Sequence, residues 1–293
     1  MTLFDILKPH LNSNRKPIVS VAVAADEEVL NAVKMAIQEN LVEAILVGNK
    51  NAILELADDM SFDLAHCTLV DEVDPVVACE KAVKLVSSKQ ADFLMKGLVD
   101  TSVLLKAVLN KDWGLRTDHV LSHVALFSMP NEDRFYALTD GAMNIAPDLD
   151  QKRQIIENAV HVMHKLGIEK PNVALLAAIE KVNPKMPCTV DAEALVSMNW
   201  QDAYVDGPFA LDNAVSVQAA KHKGIQNPRA GLAHILMVPD IEAGNILYKA
   251  VTFLGQASVA AVIAGATVPV VLTSRADSDQ SKFNSIVLAL ALL

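Results

Sequence analysis

Aromatic side chains are scarce in this 293-residue chain, at 4%, so its core has to be built from alanine, valine, leucine and isoleucine. That diet suits parallel strands covered by helices on both faces. Charged residues make up only 20% against 52% apolar, which excludes a disordered chain. Arginine occurs six times, as Arg15, Arg116, Arg134, Arg153, Arg229 and Arg275, so the groups able to grip a phosphate bidentately are few. Three cysteines, Cys67, Cys79 and Cys188, are odd in number and lack CxxC or zinc spacing. They fit reduced thiols in a cytoplasm rather than a disulfide framework. Positive charge is also in deficit, with a net charge of −10. This argues against a nucleic-acid or anionic-membrane surface but leaves room for a local anion site.

Familiar catalytic signatures are missing. There is no GxGxxG and no GxxxxGK[ST], and no G-x-S-x-G elbow marks a serine nucleophile. His161 and His164, like His119 and His123, lack the HExxH form and a carboxylate cluster, so they read as surface or core histidines. The first ten residues, MTLFDILKPH, contain no long apolar run and do not read as a signal peptide. Residues 250–274 carry no charge and are long enough to span a bilayer. Gly255, Gln256, Ser258, Gly265, Thr267 and Pro269 punctuate them, and turn, strand, turn, strand is the better reading.

What is present is an alternation of apolar runs and helical periods. Strands are expected at 18–24, 44–48, 67–70 and 93–96, with helices from Asp26, Asn51, Asp74-Pro75 and Thr101. Two adjacent strands, 121–129 and 134–139, joined by the turn 130–133, interrupt this rhythm and mark a domain change. A second series follows: helix 151–166, strand 173–179, helix 192–198, strand 203–205, helix 211–221, strand 234–238 and helix 241–253. Strands at 259–264 and 268–272 and a terminal helix containing 282–292 complete the chain. Such units imply α/β architecture with a parallel-rich sheet.

In such sheets ligands bind at the carboxyl ends of the strands, and five strand exits carry polar residues. Lys96-Gly97 leads to Asp100-Thr101-Ser102 at a helix start. Thr139-Asp140-Gly141, Asp206-Gly207-Pro208 and Pro239-Asp240 before Asn245 are similar. The most informative exit is residues 269–281, PVVLTSRADSDQS, where Thr273, Ser274 and Arg275 meet a helix opening with Asp277, Ser278 and Asp279. Hydroxyls and a guanidinium at a helix N-terminus can hold an anion. The same residues also serve as an ordinary capped helix start.

Six segments together resemble the phosphate acyltransferases that act on coenzyme A esters, the phosphate acetyl/butyryltransferase family, and its butyryl-type subgroup most. They are KGLVDTSVLLKAVL (96–109), LTDGAMNIAPD (138–148), AAIEKVNPKMPCTVDAEAL (177–195), DGPFALDNAV (206–215), GLAHILMVPDIEAGNILYKAV (231–251) and PVVLTSRADS (269–278). The resemblance implies two α/β domains of the isocitrate/isopropylmalate-dehydrogenase-like type with an interdomain cleft. It places 1–134 with 276–293 in the first and 135–275 in the second. It also implies a homodimer or higher homo-oligomer, while the cysteines point to a cytoplasmic protein and the net charge to no nucleic-acid or membrane partner. The implied reaction is acyl-CoA plus phosphate to acyl phosphate plus CoA, with coenzyme A as substrate and no permanent cofactor or metal.

Residue by residue, the resemblance implies catalytic roles for Ser274 and Arg275, with Asp277 or Asp279 supplying a carboxylate. It implies substrate contacts from Lys96, Gly97, Thr101, Lys106, Thr139, Asp140, Asp206, Pro239 and Asn245. Two positions depart from the family pattern. Lys106 replaces an arginine, keeping the charge but losing the bidentate fork, and Ser281 stands where the family has an aspartate assigned to the thiol proton. The 180–187 stretch implies an acyl chain of about butyryl size, linear or branched. The rival expectations are a non-catalytic binder of CoA or acyl phosphate, motivated by Ser281, and a metal- or NAD-dependent hydroxy-acid dehydrogenase of the same fold.

Overall fold

A computed structural model describes residues 2–11, 15–130, 132–274 and 276–293. They form two compact units, one of Phe4–His119 with Ala260–Leu293 and one containing Val120–Val259. The chain opens with a short helix, α1 (Leu3–Leu7), and then alternates through β1 (Ile18–Ala22), α2 (Glu27–Gln38), β2 (Glu43–Gly48), α3 (Lys50–Asp59), β3 (Cys67–Asp71), α4 (Pro75–Ser87), β4 (Phe93–Lys96) and α5 (Thr101–Val108). Short polar side chains start the helices where the sequence places them. Asp26 accepts from the N–H of Val29, Asn49 from Ala52, and Asp74 from Val76 and Val77 behind Pro75. Each cap satisfies amides that the helix itself leaves open.

The second unit runs β5 (Ser122–Ser128), β6 (Tyr136–Thr139), α6 (Leu149–Lys165), β7 (Asn172–Leu176), α7 (Pro187–Val196), β8 (Tyr204–Phe209), α8 (Leu211–Val215), α9 (Val217–His222), β9 (Ile235–Met237) and α10 (Ile241–Lys249). A π-helical turn at Ala250–Leu254 extends α10. Its strands lie in the order β5-β6-β9-β7-β8. All neighbours are parallel except β5 and β6, which pair antiparallel with Ala125 opposite Leu138.

The chain then returns to the first unit through β10 (Ser258–Ala264), β11 (Val270–Val271) and α11 (Asp279–Ala291). That unit's order is β3-β2-β1-β4-β11-β10, parallel throughout except for the β10–β11 pair. Buried apolar strands explain the arrangement, because a parallel sheet hides both faces. Ser20 is the polar exception in β1; fully buried, it donates its hydroxyl to Ala82 O at 2.9 Å.

Helix α11 packs against α2 and is buried on every side, from Lys282 to Ala291. Ser285 inside it accepts from Ala261 N of β10 at 2.9 Å and donates to Ser281 O at 2.8 Å. It therefore ties helix to strand.

Several expectations are corrected. The domain boundaries fall at His119/Val120 and Val259/Ala260 rather than at 134/135 and 275/276. The β5–β6 hairpin joins β9, whereas β11 pairs with β4. Asp206-Gly207-Pro208 lies inside β8, not beyond it. The β7–β8 pairing continues past a register shift, which Gly207 absorbs at φ +153, where a Cβ would meet Leu175 at 2.8 Å. The single helix expected at 211–221 is two, because Ser216 takes an extended conformation and caps α9 through Ala219 N. Helix α7 starts at Pro187, five residues early, with proline at the position where a missing N–H costs nothing. In the turn expected at 130–133, Asn131 lies outside the described residues. Among the described residues no helix is long and apolar enough to cross a membrane.

Replacing Ser285 by alanine strands the buried amide of Ala261. The expected loss is about 1–3 kcal/mol of stability, read as a lower urea midpoint with an unchanged slope.

Candidate functional site

In the first unit β1, β4 and β11 lie side by side, with Ala22 level with Lys96 and Val271 level with Met95. Three chain exits therefore emerge together. Gly97 N donates to Ala22 O at 2.8 Å and Leu98 N to Val23 O at 2.9 Å. A Cβ on Gly97 would lie 2.1 Å from Val23 O, so this approach requires glycine. Lys96 is buried, and its Nζ donates to Gly97 O at 3.0 Å and Val99 O at 3.1 Å. Its ammonium holds the loop from within. Thr101 begins α5, and Lys106 stands on its exposed side.

The neighbouring exit carries Thr273 and Ser274. Asp277, 4% exposed, accepts from Ser274 N through Oδ2 at 2.7 Å, and Ser274 Oγ accepts from Ala276 N at 3.3 Å. Asp279 accepts from Asn31 Nδ2 on α2 and from Gln280 N. Both aspartates thus carry bonds that shape the turn and anchor α11. Ser278 caps α11, and its hydroxyl lies 3.1 Å from that of Ser281. Lys282, which the sequence reading did not single out, donates Nζ to Asp277 O and to Glu28 Oε2 at 2.7 Å. Its only sequence signal is a lysine opening an otherwise apolar helix. Arg275 lies outside the described residues.

In the second unit Thr139 of β6 is level with Met237 of β9. Asp140, 2% exposed, has its carboxylate filled: Oδ1 accepts from Ala142 N and Met143 N at 2.9 and 3.0 Å, Oδ2 from Asn144 N at 3.2 Å and Asn144 Nδ2 at 2.6 Å. It builds the turn. Gly244 of α10 packs on that turn so closely that a Cβ would lie 2.6 Å from Asp140 O. Asn245 Nδ2 donates to Gly141 O at 3.2 Å, and Asp240, after Pro239, caps α10 through Ala243 N. Thr139, Asp140, Pro239 and Asn245 are thereby gathered into one cluster. Thr139 Oγ1 is buried in it with no hydrogen-bond partner among the described residues.

Asp206 stands apart. It sits on β8, separated from β6 by the two strands β9 and β7, and forms a bidentate pair with Arg229 at 2.5 and 3.0 Å, with Asn227 Nδ2 at 2.7 Å. That arginine also lies over the Tyr204 ring at 4.6 Å.

Each unit by itself thus presents candidate residues at the carboxyl ends of its parallel strands, where α/β sheets bind ligands. The profile of the phosphate acetyl/butaryl transferase family matches residues 73–290. The chain belongs to that family. It is 47% identical to the phosphate butyryltransferase of Clostridium beijerinckii over 98% of this chain and 96% of the relative. It is 49% identical to a probable phosphate butyryltransferase of Bacillus subtilis over 99% and 97%. A branched-chain phosphotransacylase from Enterococcus faecalis superimposes with a TM-score of 0.86 at 40% identity, covering 94% of this chain and 98% of that one. A 4-hydroxythreonine-4-phosphate dehydrogenase of Salmonella typhimurium, at 13% identity and a TM-score of 0.58 over 95% of this chain and 100% of that one, shares the fold alone.

As a phosphate acyltransferase the chain is a transferase, and its thiols can be assessed as nucleophiles. Burial pushes Cys67 up to about 12 and Cys79 up to about 11, and burial also raises Cys188. All three stay protonated near neutral pH, the unreactive form of a thiol. Among the described residues no group of three or more His, Cys, Asp and Glu side chains could hold a metal ion. Replacing each cysteine singly by serine is expected to leave turnover within a fewfold of wild type. A trapped acyl-cysteine, or loss of turnover with the fold intact, would refute this.

Proposed function

We propose that this protein transfers a short acyl group of about butyryl size, linear or branched, between coenzyme A and inorganic phosphate. The reversible reaction is acyl-CoA plus phosphate to acyl phosphate plus CoA. Near-full-length similarity to butyryl- and branched-chain-named relatives carries the reading. The strand-exit crest around Gly97 and Ser274 supplies a physical basis for it.

Transfer is direct. Phosphate attacks the thioester carbonyl, or in reverse the CoA thiolate attacks the acyl phosphate, so both partners must be bound at once and held in attack geometry. The Ser274 hydroxyl donates to the carbonyl oxygen as it becomes an oxyanion, and Arg275 neutralises phosphate or the CoA phosphates. Asp277 acts as a positioning residue, because its carboxylate fixes the backbone of Ser274. Asp279 acts likewise through Asn31. A thiol of ordinary pKa, about 8.5, is a few per cent thiolate near neutral pH, and a local positive field raises that fraction. Lys106 contributes such charge, and Lys96, Gly97 and Thr101 shape the first unit's binding loop. Thr139, Asp140, Pro239 and Asn245 form the second unit's contribution, with Asp206 bracing its outer edge through Arg229. The working form is a cytoplasmic homodimer or higher homo-oligomer.

The test is release of CoA from acyl-CoA in the presence of phosphate. Ser274→Ala is expected to lower kcat by ~10²–10³, the usual cost of one oxyanion donor. A wild-type protein that binds CoA but does not turn over would sink the activity. Across acetyl-, propionyl-, butyryl- and isobutyryl-CoA, kcat/KM is expected to peak at the four-carbon substrates. One methylene is worth only ~1–3 kcal/mol, about 10- to 200-fold, so a peak at acetyl would overturn the chain-length assignment.

A further inference from the structure

A cavity of about 750 Å³ opens at the other end of the first unit's sheet, where its parallel strands begin. Pro17 leads into β1 there, Leu41 into β2, Asp92 into β4 and Val268 into β11. The C-terminal ends of α2, α4 and α11 reach the same space through Asn40, Val86 and Leu290. Its apolar wall is aliphatic, and among the described residues no aromatic ring lines it.

Three cationic side chains, Arg15, Lys16 and Lys89, share the lining with one carboxylate side chain, Asp92. Asp92 is already claimed. Its oxygens accept from Arg15 at 2.9 and 2.5 Å and from Ile18 N at 2.7 Å. Lys16 and Lys89 make no ion pair or side-chain hydrogen bond among the described residues. In a chain of net charge −10, two such ammonium groups beside an aliphatic hollow form a local positive field. The helix ends weaken that field little, because their carbonyls are capped. Ala36 O accepts from Leu41 N at 2.9 Å and Leu85 O from Ala91 N at 3.0 Å. Lys89 also sits at φ +62, a left-handed position where glycine is the unstrained choice.

We propose that this cavity binds an aliphatic anion, an alkyl chain ending in a carboxylate or phosphate. The chain lies against Leu41, Val86, Val268 and Leu290, and Lys16 and Lys89 hold the head group. A nucleotide fits poorly, since its base would find no ring to stack on, and an amine has the wrong sign of charge. The site is distinct from the serine turn. Helix α11, with 13 residues and thus about 20 Å long, separates the two.

Calorimetric titration with octanoate, octyl phosphate and octanol, at saturating CoA, tests the assignment. At least one of the two anions is expected to bind saturably, and octanol about tenfold more weakly or worse. From butanoate to octanoate affinity should rise by up to about fourfold per methylene. Lys16→Met combined with Lys89→Gly should weaken anion binding about tenfold or more. Glycine suits the left-handed backbone, so Lys89→Gly alone is expected to keep or raise Tm while lowering affinity. A fall in Tm would assign Lys89 to the fold instead. Ser274→Ala should bind the anions as the wild type does; lost binding there would place them at the serine turn. The proposal is overturned if neither anion binds, if octanol binds as tightly, if the chain-length series is flat, or if the lysine substitutions change nothing. A heat that follows protein concentration would overturn it too, as the mark of a second copy on this face. A wild type without acyl transfer would leave this titration just as decisive.

Discussion

The turn that carries Ser274 is held from beneath by a buried ammonium. Lys282 is withdrawn from water on a helix with no exposed face, and its bonds to Asp277 O and Glu28 join three segments at one point. A buried charge is tolerated only when its partners are in place, so the ammonium, the turn and α2 must be set together. Asp277 then fixes the amide of Ser274, and Asp279 ties the start of α11 to Asn31. The position of one hydroxyl is thus settled by a helix fully packed into the core, which is what a site needing sub-ångström placement requires. Gly97 gives the neighbouring loop a comparable definition by a different route, through backbone contact too close for any side chain.

Much of this was legible in the sequence because local rules dominated. Asp26 and Asp74-Pro75 announced helix starts, and the apolar runs at 18–24, 93–96 and 259–264 read as strands. The strand exits were found for the same reason, since polar residues after an apolar run stand out. What escaped notice depended on partners distant in sequence. Asp206 reads like another ligand-bearing exit, yet Arg229, 23 residues on, claims its carboxylate, and no spacing rule connects them. Asp140 likewise looks like a free carboxylate until its four donors are counted. The break at Ser216 was missed because a serine inside an apolar period is compatible with a continuous helix as well as with a cap. Lys282 gave almost no signal, because the burial of a lysine is a property of the packing around it.

The two lysines at the crest illustrate how little formal charge says about function here. Lys96 donates its ammonium to backbone carbonyls and Lys282 divides its own between Asp277 O and the Glu28 carboxylate, both inside the first unit, whereas Lys106 keeps its charge in solvent. In a chain of net charge −10, attraction of a polyanionic substrate rests on a few exposed cations in defined places. Such a local field guides approach over about a Debye length and weakens as salt rises.

The division of the first unit into residues 4–119 and 260–293 also has a temporal meaning. On the ribosome the four leading strands and the whole second unit are made before β11 and α11 exist. Until then α2 lacks the α11 helix that packs against it, and β4 has an open edge where β11 will pair. Closing the unit means joining segments separated by well over a hundred residues, a non-local step that is slow relative to local folding. The nascent chain therefore passes through a stage in which one unit is complete and the other is an exposed half-sheet, the kind of species that chaperones hold. The serine turn is created only at the end of that wait, so its geometry and completion of the core arrive in a single event.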